Sequence, residues 1–216
     1  MGGRRHGVAV RRALYGWYGG NVWLFHVVSA FRGRYWIEFM RLASEFADHR
    51  RFALYILALC AAGILAVVFA FRHNHGEAAA FRWFTVLCVF TIGTALDHVV
   101  VEAMKTWFAL PRPGVILGAH HFGVERAGLR YRSFPSGHAS FAAVLAVSVW
   151  PTARFAVRVL LVSAVFLVCL SRVSLGLHFP ADVLGGAGVG WFVATTVQSA
   201  LSLLWRLAAP KRPVAP

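Results

Sequence analysis

The chain has 216 residues, 59% of them hydrophobic and only 14% charged. Soluble domains run at about 45–50% apolar and about 25% charged, so this composition excludes a disordered chain, a collagen-like repeat and a disulfide scaffold, and indicates a membrane protein. The net charge of +14 comes from 22 Lys and Arg set against 8 Asp and Glu, scattered between long apolar runs, which suits lipid headgroups or an anionic substrate better than nucleic acid.

In chain order, residues 14–31 are apolar but carry Asn21, His26 and several glycines. They either span the bilayer or lie in its interface with Trp and Tyr at headgroup level. Residues 32–51 mix charges with Trp36, Ile37, Phe39, Met40, Leu42 and Phe46 at helical spacing, the pattern of an amphipathic interfacial helix. The basic start lacks a small-residue cleavage pattern, so no removable signal peptide is expected. Residues 52–71 form an uncharged run ended by Arg72, long enough for a hydrocarbon core of about 30 Å. Further spans are expected at 83–104, at 136–150, at 155–170 after Pro151, and at 183–204. The expected fold is an all-α polytopic transmembrane bundle of five to six spans, with an N-terminal interfacial amphipathic helix. One membrane-embedded domain is expected, with residues 1–51 as the interfacial region and 52–206 as the helical bundle. If the helices alternate, the connections 106–134 and 172–181 fall on one membrane face.

Three blocks on that face carry chemistry. The first runs from Lys105 to Arg112-Pro113, the second is Pro135-Ser136-Gly137-His138, and the third runs from Ser171-Arg172 through His178 to Asp182. Singly, each has a bland reading: helix-end cations snorkel to headgroups, and Pro-Ser-Gly is a turn before a helix. Together they make a phosphate cradle. Arg112 and Arg172 can grip phosphate oxygens in bidentate fashion, and Lys105 adds a point charge. Ser136 and Gly137 present backbone N–H groups at a helix start, and glycine leaves room for close approach. If a helix begins at Phe179-Pro180, His178 and Asp182 lie one turn apart. The carboxylate then fixes the imidazole tautomer and leaves the other ring nitrogen as nucleophile. His138 is placed to protonate the leaving alkoxide and later to activate water.

These blocks resemble the type 2 phosphatidic acid phosphatase superfamily, which includes membrane lipid phosphatases, soluble bacterial acid phosphatases and vanadium haloperoxidases. Its pattern is Lys, six residues, Arg-Pro; then Pro-Ser-Gly-His; then Ser-Arg, five residues, His, three residues, Asp. Lys105, Arg112-Pro113, Pro135 to His138, Ser171-Arg172, His178 and Asp182 match every element. The resemblance implies an all-helical bundle with His178 as nucleophile, Asp182 as its orienting partner and His138 as general acid. It implies Lys105, Arg112, Ser136, Gly137 and Arg172 as phosphate ligands. The departure from the pattern lies upstream, where the first span is short and weak.

Other polar residues receive structural readings. Asp97, His98 and Glu102 lie within a span, and His98–Glu102 and Glu102–Lys105 have contact spacing, so they are expected to orient Lys105 or satisfy polar neighbours. His120, His121 and Glu125 sit in a loop without a fourth ligand and are read as substrate-contacting rather than metal-binding. Gly186 and Gly190 form a small-xxx-small packing face. Cys60, Cys88 and Cys169 are read as buried hydrophobes.

The function expected is metal-independent dephosphorylation of a membrane lipid phosphate or pyrophosphate through a phosphohistidine. Candidate substrates are phosphatidic acid, phosphatidylglycerol phosphate, undecaprenyl pyrophosphate and phosphorylated lipid A. No cofactor, metal, nucleic acid or obligate protein partner is expected; the partners are the lipid substrate and the bilayer. Alternatives are a lipid phosphotransferase using the same intermediate and a non-enzymatic anion or lipid transporter. The expected location is the bacterial inner membrane with the site facing the periplasm, as the resemblance implies. Arginine counting points the other way, since Arg4, Arg5, Arg11, Arg12, Arg32, Arg34, Arg41, Arg50 and Arg51 fall on the motif side.

Overall fold

The computed structural model describes residues 15–72, 75–118 and 130–208. Helices α1 (Gly20–Ser29), α2 (Arg34–Phe46), α3 (Phe52–Phe71), α4 (Gly76–Phe108), α5 (Pro113–Leu117), α6 (Gly137–Val149), α7 (Phe155–Ser174) and α8 (Pro180–Ala208) follow one another, with no strand among the described residues. Among the described residues, four helical stretches are long and apolar enough to cross a membrane: His49–Phe71, Gly76–Leu117, Phe155–Ser174 and Pro180–Ala208. The chain is an integral membrane protein. Its outward surface is apolar: Leu57 and Leu65 of α3, Phe155 and Phe166 of α7, and Leu184 and Phe192 of α8 are all exposed, as a hydrocarbon solvent requires.

The third expected span is shorter than its neighbours. α6 has 13 residues, about 20 Å of helix against a core of about 30 Å. It is mostly apolar and buried through Ala139, Ser140, Phe141, Ala142, Ala143, Val144, Ala146 and Ser148, the profile of a helix enclosed by others. α4, α7 and α8 pack around it. Phe141 meets Phe90 of α4 and Tyr55 of α3, with ring centroids 5.8 and 5.5 Å apart.

The described part of the run at 14–31, residues 15–31, does not make a spanning helix. A left-handed Tyr18 and Gly19 (φ 104°) break the run, and only ten helical residues follow. α1 instead packs on α7 and α8, with Phe25 fully buried against Phe179. The amphipathic helix forms as expected at Arg34–Phe46. It buries Met40, Ala43 and Ser44 and packs on α7, while Tyr35, Phe39 and Leu42 remain exposed.

The tightest contact is between α6 and α8. A Cβ on Gly190 would lie 2.1 Å from the Ser140 carbonyl oxygen, and one on Gly186 would lie 2.3 Å from that of Ser136. The expected small-residue face therefore carries backbone-to-backbone packing. Gly190→Ala should lower heat stability in detergent by about 1–3 kcal/mol. Gly188→Ala, with nothing within 4 Å of its added Cβ, should be neutral or stabilising by up to about 1 kcal/mol. Equal unfolding midpoints for the two variants would contradict the contact.

Candidate active site

Helix ends build the site. α4 ends at Ala109, whose left-handed backbone (φ 43°) closes the helix with an N–H to Lys105 O bond of 3.1 Å. α6 begins at Gly137 after the N-cap Ser136. α7 ends at Ser174, two residues after Arg172, and α8 begins at Pro180, two residues after His178. The helices alternate in direction, so all three motif blocks reach the same end of the bundle.

Asp182 is the most completely held group. Its side chain is fully buried. Oδ1 accepts from the Tyr15 hydroxyl at 2.8 Å. Oδ2 accepts from Ser133 Oγ at 2.5 Å and from the Phe179 N–H at 2.8 Å. The last bond is half of a capping box, in which a carboxylate in the first turn reaches back to the N-cap N–H. The Asp182 carboxylate thus starts α8 as well as facing His178. His178 Nδ1 stands 3.6 Å from Oδ2, an ion-pair distance longer than a hydrogen bond. That nitrogen is buried with no hydrogen-bond partner. Pro180 at the first helical position pre-sets the backbone there, so the one-turn spacing expected of His178 and Asp182 is realised.

His178 lies between α7 and α8, outside both spanning segments. Burial pushes its imidazole down to about 4, against a smaller raising effect of Asp182. His138, in the first turn of α6, shares one electrostatic neighbourhood with Arg172, His178, His49 and Lys105. Arg172 and Arg112 feel each other's charge, and both are buried. Arg112 donates to the Leu177 carbonyl at 3.5 Å. Arg172 Nη1 donates to Ser44 Oγ at 2.6 Å, while its Nε has no protein partner. Lys105 Nζ lies 3.6 Å from where a Gly137 Cβ would stand, so the amine sits directly over the start of α6.

One expectation changes. Ser136 does not offer its backbone N–H to a ligand, because that group donates to the Asp182 carbonyl at 2.9 Å. What Ser136 offers is a buried hydroxyl without a protein partner. Gly137 and His138 keep first-turn N–H groups that have no partner within the helix. Among the residues flagged in α4, Glu102 orients Lys105 at 2.9 Å and also pairs with Arg132. Asp97 instead accepts from Ser140 Oγ and ties α4 to α6. The ring of His98 faces His49. His120, His121 and Glu125 lie outside the described residues. Among the described residues no group of three His, Cys, Asp or Glu is arranged to hold a metal.

Beside the site, an apolar cavity of about 870 Å³ opens between α1, α6, α7 and α8, from Trp150 and Gln198 at one end to Val173, Pro180 and Val183 at the other. Sequence spacing missed Tyr15, Ser44 and Ser133, whose contacts with motif residues span 167, 128 and 49 positions.

Comparison with known proteins bears on the family and the fold. The model of the PAP2 superfamily matches residues 86–206. LpxE of Aquifex aeolicus superposes with a TM-score of 0.66 at 23% identity, covering 83% of this chain and 94% of that one. The first transmembrane PAP2-type phosphatidylglycerolphosphate phosphatase from Bacillus subtilis superposes with a TM-score of 0.66 at 20% identity, covering 95% and 94%. No curated protein matches the chain. The chain belongs to the PAP2 superfamily.

Burial of His178 has a consequence for stability. Unfolded histidine takes a proton near pH ~6.5, whereas the buried ring does so only near about 4. Its contribution is therefore intact above the unfolded value and is lost as pH falls through that window. Between pH ~7 and ~4.5 the fall in heat stability should be shallower in His178→Gln, which lacks this titration, than in wild type. Parallel curves would contradict the buried, neutral assignment.

Proposed function

We propose that the protein is a lipid phosphate phosphatase that works through a phosphohistidine at His178, without a metal. The observation that carries the reading is the convergence of the His178–Asp182 pair, His138 and three cations on the start of α6. Membership of the PAP2 superfamily supports phosphatase chemistry.

In this reading Arg112, Arg172 and Lys105 hold the phosphate oxygens, aided by the Ser136 hydroxyl and the N–H groups of Gly137 and His138. With Nδ1 turned to Asp182, Nε2 of His178 attacks phosphorus. The N–P bond forms as the P–O bond to the lipid breaks, and His138 gives the leaving alkoxide its proton. Water then attacks phosphorus while His138 takes its proton, and the N–P bond breaks to release inorganic phosphate. The cations stabilise charge spread over the transferring group. Asp182 closes on Nδ1 as the imidazole gains positive character, because catalytic hydrogen bonds tighten in the reacting complex.

The surroundings support a lipid substrate. In this reading the site lies at the end of a bilayer-embedded bundle, and the apolar cavity beside it supports a lipid tail there. A headgroup phosphate can sit in the cradle while its acyl chain lies in that cavity. Phosphatidic acid, phosphatidylglycerol phosphate, undecaprenyl pyrophosphate and phosphorylated lipid A are the classes to test. The family resemblance supports a site on the periplasmic side of a bacterial inner membrane.

Detergent-purified protein should release phosphate from at least one of these lipids in the presence of EDTA. His178→Ala should abolish release, and His138→Ala should lower it by about 10²–10⁴. Release that survives in His178→Ala would show that the nucleophile is another group. Loss of wild-type release on EDTA treatment would overturn the metal-free reading.

A further inference from the structure

We propose that the N-terminal segment, through Tyr15 and Ser44, positions the reactive groups of a site whose motifs all lie elsewhere in the chain. This rests on the phosphatase reading above. The segment precedes the residues 86–206 that carry the family pattern, yet its described side chains hydrogen-bond to that region. Tyr15 donates to Asp182 Oδ1. Ser44 accepts from Arg172 Nη1 at 2.6 Å. Asn21, itself buried, accepts from the Ala181 N–H at 2.9 Å. The Trp36 indole donates to Ser174 Oγ at 2.7 Å.

These contacts fall on two different functions. Asn21 and Trp36 fasten α1 and α2 to the first turn of α8 and the last turn of α7. Tyr15 and Ser44 then reach the groups that the reading makes reactive. Asp182 has two oxygens, and Ser133 and the Phe179 N–H both bind Oδ2. Tyr15 donates to Oδ1, and this bond sets the rotation of the carboxylate about its own axis. That rotation decides how Oδ2 faces His178. Tyr15 therefore acts on the nucleophile, and its loss is felt in the chemical step.

Ser44 acts on the phosphate. A guanidinium grips an anion in a plane fixed by its own hydrogen bonds. Arg172 has one donor on Ser44 and a buried Nε with no protein partner. The Ser44 bond orients the plane so that Nε and the remaining donors face the cradle. Its loss leaves the charge in place and frees the plane to turn, which weakens phosphate binding. Both are positioning residues, since neither touches the reacting atoms.

The full-length chain carrying Tyr15→Phe, Ser44→Ala or Ser44→Thr separates the two roles. The readouts are kcat on whichever of the four lipids the wild type hydrolyses fastest, inhibition by inorganic phosphate, and the heat-unfolding midpoint. Tyr15→Phe should lower kcat about tenfold with phosphate inhibition within about twofold of wild type. Ser44→Ala should weaken phosphate inhibition about tenfold, and Ser44→Thr should restore it. Tyr15→Phe and Ser44→Ala with kcat and phosphate inhibition both within about twofold of wild type would overturn the proposal alone. So would losses of both constants in step with the unfolding midpoint and without rescue by threonine, which mark simple destabilisation. A wild type that releases no phosphate from any of the four lipids would overturn the phosphatase reading and this inference with it.

Discussion

The approach of α6 to α8 sets where everything else in the site can be. Two glycines one turn apart, Gly186 and Gly190, let the α8 backbone press on the carbonyls of Ser136 and Ser140. At that distance the Ser136 N–H reaches the Asp182 carbonyl, so the first turn of each helix is stitched to the other. In hydrocarbon there is no hydrophobic drive for helices to associate, and close packing of small residues supplies the attraction instead. The alanine-rich face of α6 is the other half of that arrangement. Because α6 is short and enclosed, its first turn lies inside the bundle, and the ends of α4 and α7 close around it.

The electrostatics follow from that enclosure. Arg112, Arg172, His178 and Asp182 are all buried, where an uncompensated charge is expensive. Asp182 is satisfied by three donors from three parts of the chain. The cations are distributed differently. Glu102 holds Lys105 at the rim, while Arg172 meets the like charge of Arg112 and is left with an unpartnered Nε. On the proposed reading a phosphate dianion relieves this repulsion, and the same positive field then stabilises the transferring group. In that reading the carboxylate serves the histidine, and the positive charge serves the substrate.

Much of this was legible from residue order. The long apolar runs marked five spans, of which four are helices long and apolar enough to cross a membrane among the described residues, and the three blocks that resemble the phosphatase pattern converge at one end of the bundle. The His178–Asp182 turn was readable because Pro180 starts a helix wherever its fixed φ is accommodated. Three things were not. The apolar run at 136–150 looks the same whether it faces lipid or other helices, and only the packing shows α6 as a buried helix. The Ser136 N–H is taken by a carbonyl 46 residues later, and backbone pairing of that kind leaves no trace in residue identity. Tyr15 and Ser44 reach motif residues across 167 and 128 positions, with ordinary side chains and no spacing that marks them.

The proposed mechanism requires His178 to become covalently phosphorylated. The most direct measurement is rapid-quench labelling with a lipid whose phosphate carries radioactive phosphorus, stopped in alkali, where a phosphorus–nitrogen bond to histidine survives. A label that appears and decays during turnover, maps to the peptide holding His178 and is absent from His178→Ala is the predicted result. Steady turnover with no labelled protein, or a label on another residue, would contradict it.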